Sequence, residues 1–184
     1  MSNKIIEPIV NRKSVLAFDT KSVSLEQLNS LFEAARWAPS SYNEQPWKFF
    51  YASKDDNESF AKIINCLAPP NKEWAKNASV LIISTAKKEL TLNGKLNSYA
   101  MHDVGLATAN LLLQAQAMGL ASHPMGGFSK DKARDVLNLS NDYDPVAAIA
   151  IGYHGDYELL SEDNKKREGM PRQRKPIDEV AMKV

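Results

Sequence analysis

Six consecutive side chains able to hydrogen-bond lie between two prolines, Pro39 and Pro46, at residues 40–45. A proline has no backbone N–H and disfavours helical geometry at the residue before it, so this segment is not expected to continue a helix. Polar side chains on such a backbone can bind a ligand through several donors and acceptors at once. An ordinary polar connection has the same composition, and the spacing alone leaves both interpretations open.

A second group of candidate residues lies near the N terminus, at Arg12, Lys13 and Ser14. A guanidinium fork, an ammonium group and a hydroxyl could together hold a phosphate or a polyol. Near the other end of the chain, six of the eleven residues from 165 to 175 are basic. Such a run usually forms a solvated tail, although it could also bind a small anion.

Two adjacent glycines, Gly126 and Gly127, interrupt the segment Pro124–Phe128. Because glycine has no Cβ, its backbone can approach a flat ligand closely and present an N–H to it. A plain turn would use the same residues, so this motif also has two interpretations.

The elements that must position these residues can be predicted from capping and periodicity. Ser24 and Gln27 form a capping box, which begins a helix that continues to Trp37. Pro69-Pro70 is expected to interrupt the chain after a helix. The patterns predict further helices at 55–66, 99–119 and 129–137, and strands at 47–52, 79–86 and 146–153. This alternation favours a layered fold of the α+β or α/β class.

The helix predicted at 99–119 is apolar on nearly every side, and residues 104–122 carry no charge. A membrane span is one interpretation of such a segment. Asn110, Gln114 and Gln116 favour a helix buried in a protein core or in a dimer interface instead.

Composition limits the classes of function. The chain has 184 residues and a net charge of +1, which fits one domain over 1–184 and gives no electrostatic basis for binding nucleic acid or a membrane. Its one cysteine, Cys66, cannot form an internal disulfide, and no apolar leader is apparent at residues 1–8, so a cytoplasmic location is expected. The three histidines lack ligand spacing, so no metal site is expected and each histidine is interpreted as structural.

Taken together, the motifs R-K-S, A-P-S-S-Y-N-E-Q-P-W, P-M-G-G-F and R-Q-R-K-P resemble, in this order along the chain, those of the nitroreductase family of FMN-dependent oxidoreductases. The resemblance implies an α+β fold with a central, mostly antiparallel sheet flanked by helices, in an intertwined homodimer. It places the N-terminal and C-terminal basic residues at the flavin phosphate, the glycine segment at the flavin ring near N5, and the polar loop at the flavin of the partner subunit. The residues that it assigns to the cofactor are Arg12, Lys13, Ser14, Pro39, Ser40, Ser41, Asn43, Gln45, Asn71, Pro124, Met125, Gly126, Gly127, Arg172 and Arg174.

The implied activity is transfer of hydride from NADH or NADPH through flavin N5 to a nitroaromatic, a quinone or a similar small acceptor, by a ping-pong mechanism. No protein residue is expected to act as a catalytic acid or base, because the flavin carries the redox chemistry. The alternative is a flavin-binding protein of the same fold with another outcome, namely reductive dehalogenation, flavin breakdown or binding without turnover. Two positions depart from the family pattern: Leu16 and Trp74 occur where basic residues are often found.

Overall fold

The structure, a computed structural model, describes residues 4–184; the first residues of the segment inspected for a leader lie outside this range. Its α-helices are α1 (Glu7–Asn11), α2 (Leu25–Arg36), α3 (Asn57–Cys66), α4 (Pro69–Ala75), α5 (Ala100–Ala117), α6 (Lys130–Val136), α7 (Glu162–Glu168) and α8 (Ile177–Val180). Its strands are β1 (Trp47–Ser53), β2 (Val80–Lys87), β3 (Ala121–Met125) and β4 (Tyr143–Gly152).

The four strands form one sheet in the order β1-β2-β4-β3. All three neighbouring pairs are antiparallel. The two central strands, β2 and β4, are the apolar runs of the sequence, and β2 is buried along nearly its whole length. Pro124 lies in the edge strand β3, where a missing backbone N–H is tolerated. The predicted α+β fold with a central antiparallel sheet flanked by helices is confirmed.

Helices cover both faces of this sheet. Side chains alternate between the two faces along each strand, and the central strands carry apolar side chains on both, so both faces need cover. On one face, Leu81 and Ile83 of β2 belong to a core shared with α3, α4 and α6. On the other face, Val80 and Ile82 belong to a core shared with α2 and α5. The chain is thus a three-layer arrangement in which both ends of the sheet remain accessible to connecting loops.

Most predicted elements are confirmed within one to three residues at each end, and Ser24 and Gln27 make the predicted capping box. Helix α3 ends at Cys66, before Pro69-Pro70, which confirms the predicted interruption. The two prolines also begin α4, because a proline in the first turn of a helix gives up no hydrogen bond that the helix needs. The strand predicted at 146–153 begins three residues earlier, at Tyr143.

Helix α5 is buried on one side only. Val104, Leu111 and Leu112 face the core, whereas Gly105 and Ala109 are exposed. One chain therefore covers only part of the surface of this helix. Among the helices of residues 4–184, none is both long and apolar enough to cross a bilayer.

Candidate flavin site

Three arginines from the two ends of the chain lie together. The Arg172 guanidinium donates to the carbonyl oxygen of Arg12 at 2.5 Å and also to that of Val10. Burial, together with the positive charges of Arg172 and Arg174, lowers the pKa of Arg12. A cluster of like charges is unfavourable unless an anion neutralises it, so this arrangement suits a phosphate group. Ser14 lies beside it, with its hydroxyl oxygen 3.4 Å from Nη1 of Arg12.

A buried carboxylate holds the chain that follows these residues. The Glu168 side chain, only 2% exposed, accepts hydrogen bonds from the backbone amides of Leu16 at 2.5 Å and Ala17 at 2.9 Å. Its other oxygen lies 2.8 Å from Nε2 of His154 and 4.0 Å from Nζ of Lys13. Burial opposes ionisation of Glu168, but the bonds from His154, Leu16 and Ala17 outweigh it and lower the pKa. Lys13 is therefore placed beside this carboxylate as well as beside the arginine cluster.

The end of β3 and the glycine segment form the next part of the site. The Gly127 carbonyl accepts from the Asn71 side chain at 3.0 Å and from the Ala68 amide at 2.9 Å, so the start of α4 and the glycine segment are joined. A Cβ on Gly126 would meet no atom within 4 Å, whereas one on Gly127 would lie 2.7 Å from Nδ2 of Asn71. Among the backbone hydrogen bonds that residues 4–184 make outside their regular helices and strands, none has the amide of Gly126 or Gly127 as its donor. Open space and available amides suit a flat ligand.

A histidine joins these two parts. Nδ1 of His123, the residue before Pro124, donates to the carbonyl oxygen of Val15, the residue after Ser14, at 2.7 Å. The His123 ring also stacks on Trp74 at 4.5 Å between centroids. Burial lowers the pKa of His123, so the ring is held in its neutral form. The structure therefore brings the basic residues, the glycine segment and Asn71 into one continuous region.

The two departures from the family pattern have a structural explanation. Leu16 is 2% exposed and Trp74 is 1% exposed, and both belong to the core beside α3 and α4. Trp74 packs between His123 and Phe18, whose ring centroid is 6.0 Å away. Both side chains are therefore core residues in this chain.

The polar loop before β1 has a constrained backbone. Tyr42, Asn43 and Gln45 have φ angles of 53°, 54° and 50°, in the left-handed region that residues other than glycine rarely occupy. Hydrogen bonds maintain this conformation: the Ser40 hydroxyl accepts from the Gln45 amide at 3.0 Å, and Asp103 of α5 accepts from the Ser41 amide at 3.0 Å. Strained backbone of this kind is more common at functional sites than elsewhere.

This loop lies far from the other candidate residues of the same chain. Pro39, Ser40, Ser41, Asn43 and Gln45 precede β1, at one edge of the sheet, whereas Pro124 and Met125 belong to β3, at the other edge. Three interstrand spacings separate these edges, or about 14 Å at ~4.8 Å each. Within one chain the structure therefore assembles the predicted residues into two separate groups.

Sequence reasoning missed two carboxylates that organise these groups. Glu168 holds the N-terminal segment, and Asp103 holds the polar loop. Glu168 is the one acidic residue within the basic run at 165–175, and this isolation could have indicated a structural role for its carboxylate. Asp103 opens the long uncharged stretch of α5, and a carboxylate at the start of an apolar helix was also a signal.

Comparison with known proteins identifies the family of this chain. The nitroreductase family model matches residues 9–153. A crystal structure described as an oxidoreductase containing FMN superposes with a TM-score of 0.92 at 34% identity, covering 99% of this chain and 92% of that one. The oxygen-insensitive NADPH nitroreductase of Helicobacter acinonychis is 29% identical, over 77% of this chain and 83% of its own length. An uncharacterized 15.4 kDa protein of Mycolicibacterium smegmatis is 31% identical, over 68% of this chain and 82% of its own. This chain belongs to the nitroreductase family.

Proposed function

We propose that this protein is an FMN-dependent oxidoreductase that takes hydride from NADH or NADPH and passes it to a nitroaromatic, a quinone or a similar small acceptor. One observation carries the proposal: the hydrogen bond between His123 and Val15 joins the strand before the glycine segment to the chain beside the candidate phosphate-binding residues. A flavin mononucleotide has a phosphate at one end and a flat ring at the other. The region supplies one group for each.

The residues present suit FMN. Arg12, Arg172 and Arg174 would neutralise one terminal phosphate, and Ser14 would add a hydroxyl. The amides and open surface at Gly126 and Gly127 would hold the ring. When bound, FMN would supply reversible two-electron chemistry, and the protein would bind it, orient it and tune it through hydrogen bonds.

We also propose that the working unit is a homodimer with flavin sites at the subunit interface. The polar loop is fixed in a strained conformation, yet it lies at the opposite edge of the sheet from the glycine segment. A two-fold partner could bring the loop of one chain to the site of the other. The exposed face of α5, with Gly105 and Ala109, is the surface proposed to pack against the partner.

The comparisons support these assignments by their descriptions. The structure at 34% identity is described as an oxidoreductase containing FMN. The Helicobacter acinonychis relative is named an NADPH nitroreductase, which supports a nicotinamide donor and a nitro acceptor for this chain. The choice between NADH and NADPH and the identity of the physiological acceptor are left to the assay.

One observation favours the second candidate, a protein of this fold with another outcome, such as flavin binding without turnover. Leu16 is an apolar core residue where the family often has a cation near the flavin pyrimidine. A cation there would stabilise negative charge on the reduced ring. Without it, reduction of the flavin would be less favourable.

The cofactor and the half-reactions test the proposal. Purified protein should be yellow and release FMN on denaturation. NADH or NADPH should bleach it under anaerobic conditions, and steady-state rates varied in donor and acceptor should give parallel double-reciprocal lines. Intersecting lines would contradict a shared pocket. Bound FMN that neither nucleotide bleaches would support binding without turnover.

A further inference from the structure

A cavity of about 310 Å³ lies where the polar loop meets the start of α5. Its walls include Pro39, Ser40 and Ser41, which belong to the loop assigned above to the flavin of the partner subunit. The opposite wall is formed by Tyr99, His102, Asp103 and Leu106. In the proposed dimer this cavity would therefore adjoin the place where the acceptor is reduced.

Two neighbouring residues in this wall form an acid–base pair. Nδ1 of His102 lies 3.0 Å from Oδ1 of Asp103. The Asp103 side chain is 3% exposed, whereas that of His102 is 65% exposed. A buried carboxylate that accepts from Nδ1 fixes the ring orientation and the tautomer, and it leaves Nε2 for another partner.

Asp103 also connects this pair to the loop. Its second oxygen, Oδ2, accepts the backbone amide of Ser41 at 3.0 Å. One carboxylate thus positions the polar loop and the imidazole together. Among the described residues that line the cavity, the titratable groups besides His102 are Asp103 and Tyr99, and the Tyr99 ring lies 6.4 Å from the His102 ring, edge-on.

Reduction of a quinone by hydride leaves a requirement for one more proton. The quinone gains two electrons and one proton as hydride from the reduced cofactor, and a second proton completes the hydroquinone. The basic residues grouped at the other end of the site are assigned to holding the phosphate. An imidazole is the side chain best suited to give a proton to a bound acceptor and to regain one from solvent.

We propose that His102, oriented by Asp103, is the catalytic acid that donates this second proton from Nε2 to acceptors whose reduction consumes protons. The assignment rests on the proposed function and adds a catalytic residue to it. Solvent returns the proton to the imidazole after each turnover. Asp103 acts as a positioning residue, because it contacts His102 and the loop and has no role in the transfer itself.

The test separates acceptors that need a proton from one that does not. Protein reduced beforehand with NADPH is mixed in a stopped-flow instrument with menadione, a quinone, or with ferricyanide, which takes up electrons alone. His102→Ala should slow reoxidation by menadione about 100-fold, at the lower end of the usual contribution of a general acid. Reoxidation by ferricyanide should stay within about twofold of the wild-type rate, because ferricyanide takes up no proton. This acceptor is also the control for folding, since a variant that had lost its fold or its flavin would fail with both acceptors.

Chemical rescue gives a readout that a purely structural role would not change. Added imidazole should restore menadione reduction in His102→Ala, because the deleted ring leaves space beside the cavity. It should have no effect on ferricyanide reduction. His102→Gln, which fills that space without a proton to give, should not be rescued.

A measurement without turnover tests the geometry of the pair. The chain has 3 histidines, so the nitrogen-15 spectrum of histidine-labelled holoprotein can be assigned by substitution. In its neutral form, the state left after donation from Nε2, His102 should carry its remaining proton on Nδ1 in the wild type and should lose this preference in Asp103→Asn. Equal menadione rates in the wild type and in His102→Ala would overturn the proposal. Failure of both NADH and NADPH to reduce the bound flavin would instead overturn the proposed function.

Discussion

Nδ1 of His123 lies 2.7 Å from the carbonyl oxygen of Val15. This bond joins β3, immediately before the glycine segment, to the chain immediately after Ser14. Because a carbonyl oxygen can only accept, Nδ1 must carry the proton. One neutral histidine thus sets the distance between the candidate phosphate group and the candidate ring surface.

His123 should make stability depend on pH. Burial lowers its pKa from the usual 6.5, so its contribution to the free energy of unfolding is complete above pH 6.5 and is lost as the pH falls through the lowered value. Urea unfolding should show lower stability at about pH 5.5 than at about pH 7.5. His123→Gln should reduce this difference; an unchanged difference would assign the pH dependence to other groups.

Arg174→Ala should weaken FMN binding by roughly 1.5–3 kcal/mol, the scale of a hydrogen bond to a charged group. Arg36→Ala is the matched control, because Arg36 lies on α2 in an exposed ion pair with Glu33. Isothermal titration of FMN into flavin-depleted protein measures the FMN affinity of each variant. Equal affinities in the two variants would remove Arg174 from the site.

Gly126→Ala should separate folding from flavin binding. A Cβ at this position meets no atom within 4 Å, so the free energy of unfolding without flavin should change by no more than about 0.5 kcal/mol. The methyl group would occupy the space assigned to the ring, so FMN affinity should fall. Fluorescence titration with FMN and urea unfolding of the same sample give the two values. Retention of full affinity would show that the ring lies elsewhere.

Glu168→Gln should destabilise the fold by roughly 1–3 kcal/mol, since it removes a charged acceptor from two buried backbone amides. Glu158→Gln is a control from the same region. Glu158 is 74% exposed and pairs with Lys165 at the surface, so its loss should cost no more than about 1 kcal/mol. Urea unfolding at neutral pH compares them. Equal losses would mean that the Glu168 contacts contribute little.

Local signals in the sequence predict much of this fold. The capping box at Ser24 and Gln27 predicts the start of α2, and the β-branched run at 79–86 predicts a buried strand, which the structure has at Val80–Lys87. Such features depend on neighbours in the chain. The contact between Glu168 and Ala17 spans 151 positions, and the one between Asp103 and Ser41 spans 62, so no periodicity could reveal them.

The resemblance to a family supplied the candidate site residues. The structure shows which of these residues lie together within one chain. Arg12, Asn71 and Gly127 belong to one region, whereas Ser40 and Asn43 lie at the other edge of the sheet. Sequence comparison alone also placed Leu16 and Trp74 near the ring. Their burial follows from a core that joins Leu16, helix α3 and Trp74 of α4, and a linear pattern does not contain these contacts.

The exposed face of α5 provides the variant that tests the dimer. Leu112 is 9% exposed and packs inside its own chain, so a charge there would disrupt the fold itself. Ala109 is exposed, and Ala109→Glu should leave a folded chain by circular dichroism. In the proposed interface, the same charge would be buried without a partner and would prevent association.

FMN is proposed to lie between two copies of this chain. Light scattering and flavin absorbance recorded on one chromatographic peak test this arrangement. The wild type should be a dimer with one FMN per chain, and Ala109→Glu should be a monomer that has lost its yellow colour. A monomer that retains FMN stoichiometrically would contradict it.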